Sequence, residues 1–136
     1  MTKIKVKSDL SELNKIRFFV RKNIQLPNIS EKEFYIIELS LLEICINIIR
    51  YAYPGKKGSI YLKIWQEKSK IYFEIKDDGI PFNPTKVKKP DIKKIMNSSK
   101  KGGLGVYLTQ KLMDGFSYKR INDQNILTIY KKISSA

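Results

Sequence analysis

The sequence contains no histidine and only one cysteine, Cys45. The absence of histidine excludes a Ser-His-Asp triad, a Cys-His pair, zinc sites with histidine ligands and autophosphorylation on histidine. A single cysteine excludes a disulfide within the chain, as is typical of a reducing compartment. Apolar runs such as Ile44–Ile49 are far shorter than the roughly 20 residues that cross a bilayer, and the first residues lack the apolar stretch of a signal peptide. We therefore expect a soluble, cytoplasmic protein without a membrane partner.

Acidic residues are also scarce, because 27 lysines and arginines outnumber 13 aspartates and glutamates and the net charge is +14. Such a charge favours an acidic partner, which can be a nucleic acid, an anionic membrane or an acidic protein. The composition of an AT-rich genome, rich in lysine, isoleucine and asparagine, would produce the same charge. The lysines are scattered, and no segment resembles a basic arm with interleaved aromatics. We therefore expect no direct binding of nucleic acid.

The 136 residues, 42% of them hydrophobic, suggest one globular domain over 1–136. Alternating apolar residues predict strands at about 4–7, 60–65, 71–76, 116–121 and 126–132. Helical spacing predicts helices from position 8 or 9 to about 23, from the capping box at Ser30 and Glu33 to about 52, and over 106–113. These elements predict an α/β (α+β) two-layer sandwich, with a mixed sheet of about five strands and helices on one face.

The second predicted helix carries a polar stripe through its apolar run. Ser40, Glu43, Asn47 and Arg50 are spaced by three, four and three residues, so they share one helix face. A solvated stripe is the alternative, but in so lysine-rich a chain it would carry lysine, and none occurs between positions 34 and 49. We favour a stripe that lines a site. Asn47 offers Mg²⁺ a neutral oxygen, and Glu43 can accept a proton from a hydroxyl or water.

The segment Asp-Asp-Gly-Ile-Pro-Phe at 77–82 follows the third predicted strand. If alternate residues from 71 to 75 face the core, Asp77 continues on that face. A carboxylate there is costly unless it is hydrogen-bonded, and the exocyclic amine of adenine is a suitable donor. Gly79 would let the backbone approach a flat base closely. An ordinary Asp-Gly turn is the alternative interpretation.

A third feature is the run Lys-Lys-Gly-Gly-Leu-Gly at 100–105, before the predicted helix 106–113. Glycines at a helix N-terminus expose N–H groups to a phosphate, the helix dipole favours the anion, and the lysines add charge. The run is neither a Walker A motif nor a Rossmann fingerprint. A flexible loop that ends at a helix is the alternative. The segment 83–101 before it is long, and long loops in compact domains usually carry function.

Together and in this order, the three features resemble the Bergerat-fold (GHKL) ATPase superfamily of gyrase, histidine kinases and mismatch-repair ATPases. Within it, the sequence most resembles the small anti-sigma-factor serine/threonine kinases of the RsbW type. Residues 43–53 resemble the N box, 77–84 the G1 box and 102–114 the G2 region of the family. The resemblance covers nearly the whole chain, and the last strand from Asn125 also fits.

The resemblance implies a Bergerat-type ATP-binding fold and a role for each matched residue. Asn47 would ligate Mg²⁺, Glu43 would be the catalytic base, and Asp77 would bind the adenine amine with Gly79 beside it. Residues 83–101 would form the ATP lid. The remaining nucleotide-binding residues would be Arg50, Pro81, Lys101, Gly102, Gly103, Leu104 and Gly105.

Two residues depart from the family pattern. Tyr51 stands where the N-box tail often has histidine. Pro81 stands at the second glycine position of the broader superfamily, where it removes an N–H and stiffens the loop. Pro81 is compatible with the anti-sigma kinase subgroup.

The resemblance implies ATP and Mg²⁺ as cofactors and a homodimer as the assembly. Its target would be a serine or threonine on a STAS-type anti-anti-sigma protein, and it would sequester a sigma factor or comparable regulator. The other branches need a transducer domain or a phosphoacceptor histidine, which we do not expect here. Two alternatives stay open. One is a nucleotide-gated binding module with little or no turnover. The other, ranked lower, is an ATP-independent nucleic-acid binder suggested by the charge.

Overall fold

The computed structural model describes residues 2–24, 29–84 and 109–133. Two α-helices are present in these ranges, α1 (Leu13–Asn23) and α2 (Glu31–Asn47). A 3₁₀ turn at Leu10–Glu12 precedes α1, and a π-helical turn at Ile48–Ala52 extends α2. Residues 109–112 are also helical. The strands are β1 (Thr2–Lys7), β2 (Ser59–Glu67), β3 (Lys70–Asp77), β4 (Gly115–Ile121) and β5 (Gln124–Lys132).

The strands form one sheet in the order β1-β2-β3-β5-β4. All four pairings are antiparallel, so the expectation of a mixed sheet was wrong. The reason lies in the connections. Tight turns join β2 to β3 and β4 to β5, so each of these pairs is an antiparallel hairpin. β3 and β4 run in the same direction, but β5 lies between them, so they do not form a parallel pair. The two-layer α+β class and the single apolar face of the sheet agree with the prediction.

Side-chain caps begin both helical segments at the predicted residues. Ser30 accepts a hydrogen bond from the Glu33 N–H at 3.0 Å, and the Glu33 carboxylate accepts one from the Ser30 N–H at 3.1 Å. Asp9 accepts from the Ser11 N–H at 3.0 Å and caps the 3₁₀ turn before α1. Each cap satisfies N–H groups that have no partner within the helix.

The core lies between the two helices and one face of the sheet. Phe73 and Ile129 on neighbouring strands and Ile37 on α2 are fully buried. In β2 and β3, buried residues alternate with partly exposed ones, so the described helices cover one face only. We call this face inner and the opposite one outer. In the described part of the chain, no helix combines the length and apolar character needed to cross a membrane.

An ion-pair cluster joins α1 to α2 at the edge of the core. Glu38 is buried, and its carboxylate accepts hydrogen bonds from Arg17 at 3.3 Å and from Arg21 at 3.0 Å. Both arginines are half-exposed or more. Glu38 interrupts the apolar run of α2 without belonging to the polar stripe, and its partners on α1 account for its burial.

Ser30→Ala tests the helix cap. Loss of the hydroxyl leaves the Glu33 N–H without its partner, so we expect the free energy of unfolding to fall by about 1 kcal/mol. Urea denaturation followed by circular dichroism measures the change. Ser117→Ala on β4 is the control, because it removes only a long 3.5 Å contact to the Thr128 carbonyl. An equal loss in both variants would contradict the capping interpretation.

Candidate functional site

A cleft of about 380 Å³, including its open mouth, lies between the end of α2 and the inner face of β3, β4 and β5. Its walls are mainly apolar, and three buried polar side chains converge on it, as is typical of small-molecule sites. These three are Asn47, Asp77 and Asn125. The other lining residues are Ile44, Ile48, Ile75, Phe82, Pro84, Tyr118 and Leu127.

Asp77 ends β3 on the inner face, where strand parity predicts it, and it is only 4% exposed. Its Oδ1 accepts hydrogen bonds from the Gly79 N–H and from Nδ2 of Asn125, both at 2.9 Å. Among the described residues, no group donates to Oδ2, so this oxygen remains for a ligand in the cleft. Burial raises the pKa of the Asp77 carboxyl, although both hydrogen bonds act to lower it.

Asn125 holds the floor of the cleft together. It lies directly opposite Asp77 in the β3–β5 register. Its Nδ2 donates to Asp77 and to the Ile80 carbonyl, at 2.9 and 2.8 Å. Its Oδ1 accepts from the Phe82 N–H (3.3 Å), the Tyr118 hydroxyl (2.6 Å) and Nη1 of Arg120 (3.1 Å). One side chain therefore joins the carboxylate, the loop after β3 and strand β4.

The loop after β3 packs against the end of the π-helical turn. A Cβ atom at position 79 would lie 2.3 Å from the Ala52 carbonyl oxygen, so only glycine permits this approach. The Ile80 N–H donates to that same oxygen at 2.8 Å. The Tyr53 hydroxyl accepts from the Asp78 N–H at 2.7 Å and donates to the Ser59 carbonyl at 2.6 Å. These contacts fix the backbone beside Asp77.

The four residues of the polar stripe on α2 do not share one environment. Ser40 and Asn47 are buried, and the Ser40 Oγ and the Asn47 Nδ2 lack a hydrogen-bond partner in the described part of the chain. Glu43 is partly exposed and forms no hydrogen bond or ion pair with the described residues. Arg50 lies in the π-helical turn and is exposed. The π-helical turn is wider than an α-helical turn, so Arg50 no longer lies on the helix face that the 3.6-residue period predicts. π-Helical turns often occur at functional sites.

The structure thus brings Asn47 and Asp77 to one cleft, with Gly79 behind it. Glu43, Arg50 and the exposed Pro81 do not line it. The other predicted nucleotide contacts, Lys101, Gly102, Gly103, Leu104 and Gly105, lie outside the described residues, as does nearly all of the predicted lid.

For four residues of the site, the sequence predicted no role: Tyr53, Tyr118, Arg120 and Asn125. A signal existed for Asn125, because alternation in β5 places it on the same face as the buried Leu127 and Ile129. A carboxamide on a core face, like a carboxylate there, needs a polar partner. The roles of the other three depend on contacts between distant segments, which periodicity does not reveal.

No group of three or more His, Cys, Asp or Glu side chains in the described ranges is placed to hold a metal ion. Mg²⁺ commonly binds one or two protein oxygens together with substrate phosphates. A buried carboxamide on the cleft wall, Asn47, with an unpartnered Nδ2 and a side chain free to present its oxygen, fits such a mode.

The geometry defines a ligand-binding domain: a two-layer sandwich with a cleft at the strand ends, where buried polar side chains meet. Residues 6–131 match the sequence profile of the family described as the histidine kinase-like ATPase domain. The match spans most of the chain, so the chain belongs to the histidine kinase-like ATPase domain family. Membership implies ATP as the nucleotide.

Two curated relatives are protein kinases by name. Serine/threonine-protein kinase BtrW of Bordetella bronchiseptica is 30% identical over 84 residues, 61% of this chain and 59% of that protein. Serine-protein kinase RsbW of Bacillus mycoides is 30% identical over 82 residues, 57% of this chain and 51% of that protein. The chain thus spans between half and three-fifths of the relatives it matches. The Acinetobacter baumannii histidine kinase AdeS has the same fold, with a TM-score of 0.51 at 14% identity, over 99% of this chain and 70% of that one.

The raised pKa of Asp77 makes stability depend on pH in a defined direction. A carboxyl whose pKa is higher in the folded than in the unfolded state stabilises the fold when protonated, and this contribution is lost as pH rises through the folded pKa. Asp77→Asn mimics the neutral carboxyl. We expect this variant to gain stability relative to wild type as pH rises from about 4 to about 7.

Thermal unfolding across that pH range measures the gain. The matched control is Asp78→Asn, at the exposed neighbouring position. The same pH-dependent gain in both variants would assign the effect to another group.

Proposed function

We propose that this protein is an ATP-dependent serine/threonine protein kinase of the anti-sigma type. The observation that carries the proposal is the buried Asp77, whose Oδ1 is engaged twice within the fold while Oδ2 remains for a ligand in the cleft. Family membership supports ATP as that ligand. The names of the relatives support transfer to a protein hydroxyl.

In this proposal the cleft binds the adenine base. Asp77 accepts a hydrogen bond from the exocyclic amine, and the apolar walls, with Ile44, Ile75 and Leu127, exclude water from the flat base. Gly79 and Asn125 position the carboxylate through their hydrogen bonds to its Oδ1. The burial of Asp77 is thus compensated by two protein hydrogen bonds and one from the ligand.

Asn47 would hold Mg²⁺ through its carboxamide oxygen, and the metal would supply charge neutralisation on the transferring phosphate. Gly103 and Gly105 would contact the phosphates, and residues 83–101 would form the lid. The other nucleotide-binding residues would be Arg50, Pro81, Lys101, Gly102 and Leu104. The buried Nδ2 of Asn47 has no acceptor among the described residues, and an oxygen of the bound nucleotide would supply one.

Glu43, one helical turn before Asn47, would act as the general base. The substrate hydroxyl oxygen forms a bond to the γ-phosphorus while the bond from that phosphorus to the β–γ bridging oxygen breaks. ADP leaves with that oxygen, and the hydroxyl proton passes to the Glu43 carboxylate. The carboxylate is free for this role, since it has no hydrogen bond or ion pair within the described residues.

The resemblance to anti-sigma kinases extends the proposal to partners. The phosphoacceptor would be a serine or threonine of a STAS-type anti-anti-sigma protein. The same kinase, as a homodimer, would sequester a sigma factor or a comparable regulator. Because such partners act in the cytoplasm, the kinase would be cytoplasmic as well.

One observation favours a second candidate. Glu43 does not line the cleft. A nucleotide-gated binding module would need Asp77 and Asn47 but no base, and would switch partners without turnover. Phosphate incorporation distinguishes the two candidates.

Asn47→Ala tests the nucleotide site. For wild type, Mg²⁺–ATP at ~100 times its dissociation constant should stabilise the fold by roughly 2.7 kcal/mol, which raises the melting temperature by several degrees. We expect a much smaller rise in Asn47→Ala. Thermal unfolding with Mg²⁺ alone and with Mg²⁺–ATP measures the difference. No rise in wild type at millimolar ATP would contradict nucleotide binding by the isolated chain.

Glu43→Ala tests the chemistry. Removal of a general base should slow phosphate transfer by about 10²- to 10⁴-fold while the thermal shift with Mg²⁺–ATP is retained. Incorporation of labelled γ-phosphate into a cognate STAS-domain protein measures the rate. Glu31→Ala, at an exposed position of the same helix, is the matched control. Transfer by Glu43→Ala at the wild-type rate would refute the assignment, and no transfer by wild type would favour the binding module.

A further inference from the structure

The outer face of the sheet is not covered by any element of the described residues. Its side chains are those that alternate with the buried ones, and all five strands contribute. It carries eight lysines and two glutamates. The lysines are Lys3, Lys5, Lys7, Lys63, Lys70, Lys76, Lys119 and Lys132, and the strand acids are Glu67 and Glu74. A third acid, Asp78, follows β3 and accepts hydrogen bonds on this face from Tyr61 and Gln124. This face lies on the opposite side of the sheet from the cleft.

An aromatic row crosses the three central strands of this face. Trp65, Tyr72 and Tyr130 are direct neighbours in the register of β2, β3 and β5. The Trp65 and Tyr72 rings stack at 5.2 Å with 7° between their planes, and Tyr130 follows at 5.3 Å. On β4, Gly115 leaves room for the Tyr130 ring, since a Cβ there would lie 1.9 Å from it. The row is therefore a packed feature of the fold.

Lysines surround the row at close range. The ammonium groups of Lys63 and Lys70 lie 5.4 and 5.0 Å from the Trp65 and Tyr130 ring centres, within cation–π distance. Aromatic residues are enriched in the core of protein interfaces, which polar residues surround, and Trp and Tyr are frequent among the residues that contribute most to binding.

The arrangement of the lysines costs stability in the free protein. Lys3 lies directly opposite Lys63, and Lys70 directly opposite Lys132. Like charges at such positions destabilise a sheet. A glutamate flanks each pair on one side only, Glu74 beside Lys63 and Glu67 beside Lys70. Each of these two sets of cross-strand neighbours therefore has one positive charge more than it has negative charges, and an anionic partner would neutralise it.

We propose that the outer face is a docking surface for an acidic protein partner, with carboxylates over the lysines and apolar atoms over the aromatic row. The charge of the face excludes a second copy that presents the same face. The ring geometry favours protein over single-stranded nucleic acid. Bases bind by stacking on open aromatic faces, whereas Trp65 and Tyr72 cover each other and Lys63 lies over Trp65.

The experiment uses Lys3→Glu/Lys132→Glu in the full chain. Both lysines are exposed, and each new carboxylate faces a lysine across the strands, so the variant should melt at or above the wild-type temperature. The probe is poly-L-glutamate at physiological ionic strength. Trp65 is the single tryptophan of the chain and lies in this face, so its fluorescence reports binding there. We expect a saturable change in wild type and an affinity about tenfold or more lower in the variant.

Lys22→Glu/Lys32→Glu on the helices changes the net charge equally and is the matched control. It should bind within about twofold of wild type, because charges far from the face are screened. Equal weakening in both double variants would overturn the proposal, since binding would then follow overall charge. Tighter binding of oligothymidylate than of polyglutamate, lost in the face variant, would also overturn it and assign the face to nucleic acid.

Discussion

The hydrogen bond between Asp77 and Asn125 is the contact on which the arrangement of the site depends. A carboxylate at the end of a core-facing strand is stable only if its charge is compensated, and Asn125, 48 residues away in sequence, supplies that donor. The same carboxamide then binds the Ile80 carbonyl and accepts from Phe82. This one side chain therefore couples three features: the register of β3 and β5, the path of the loop after β3, and the orientation of the free Asp77 oxygen.

The two faces of the sheet have different physical roles. The inner face combines an apolar core with a few buried polar groups, where low local polarity strengthens each hydrogen bond and raises the pKa of Asp77. The outer face is solvated, and its lysines act through the longer-range field of the molecule. Because the strands alternate, each residue of β3 belongs to one face or the other. A partner on the outer face and a nucleotide on the inner face would therefore not compete for side chains.

The local features of the fold could be predicted because they depend on neighbouring residues. The Ser30 capping box and the inward parity of Asp77 needed only spacing and alternation. The π-helical turn after Asn47 was not predicted, since helical period alone extends α2 without interruption, and it left Arg50 exposed outside the cleft. The antiparallel sheet was missed because strand direction depends on how the connections pack.

By itself, the sequence determined most of the elements, the face that each presents, and the carboxylate and carboxamide from which a nucleotide site was predicted. These properties follow from local spacing and residue type. Only the tertiary structure decided which distant side chains meet. It paired Asp77 with Asn125 and assembled Trp65, Tyr72 and Tyr130 from three strands into one row. Lysines that are scattered along the sequence became one charged face, because sheet register joins residues that the chain separates.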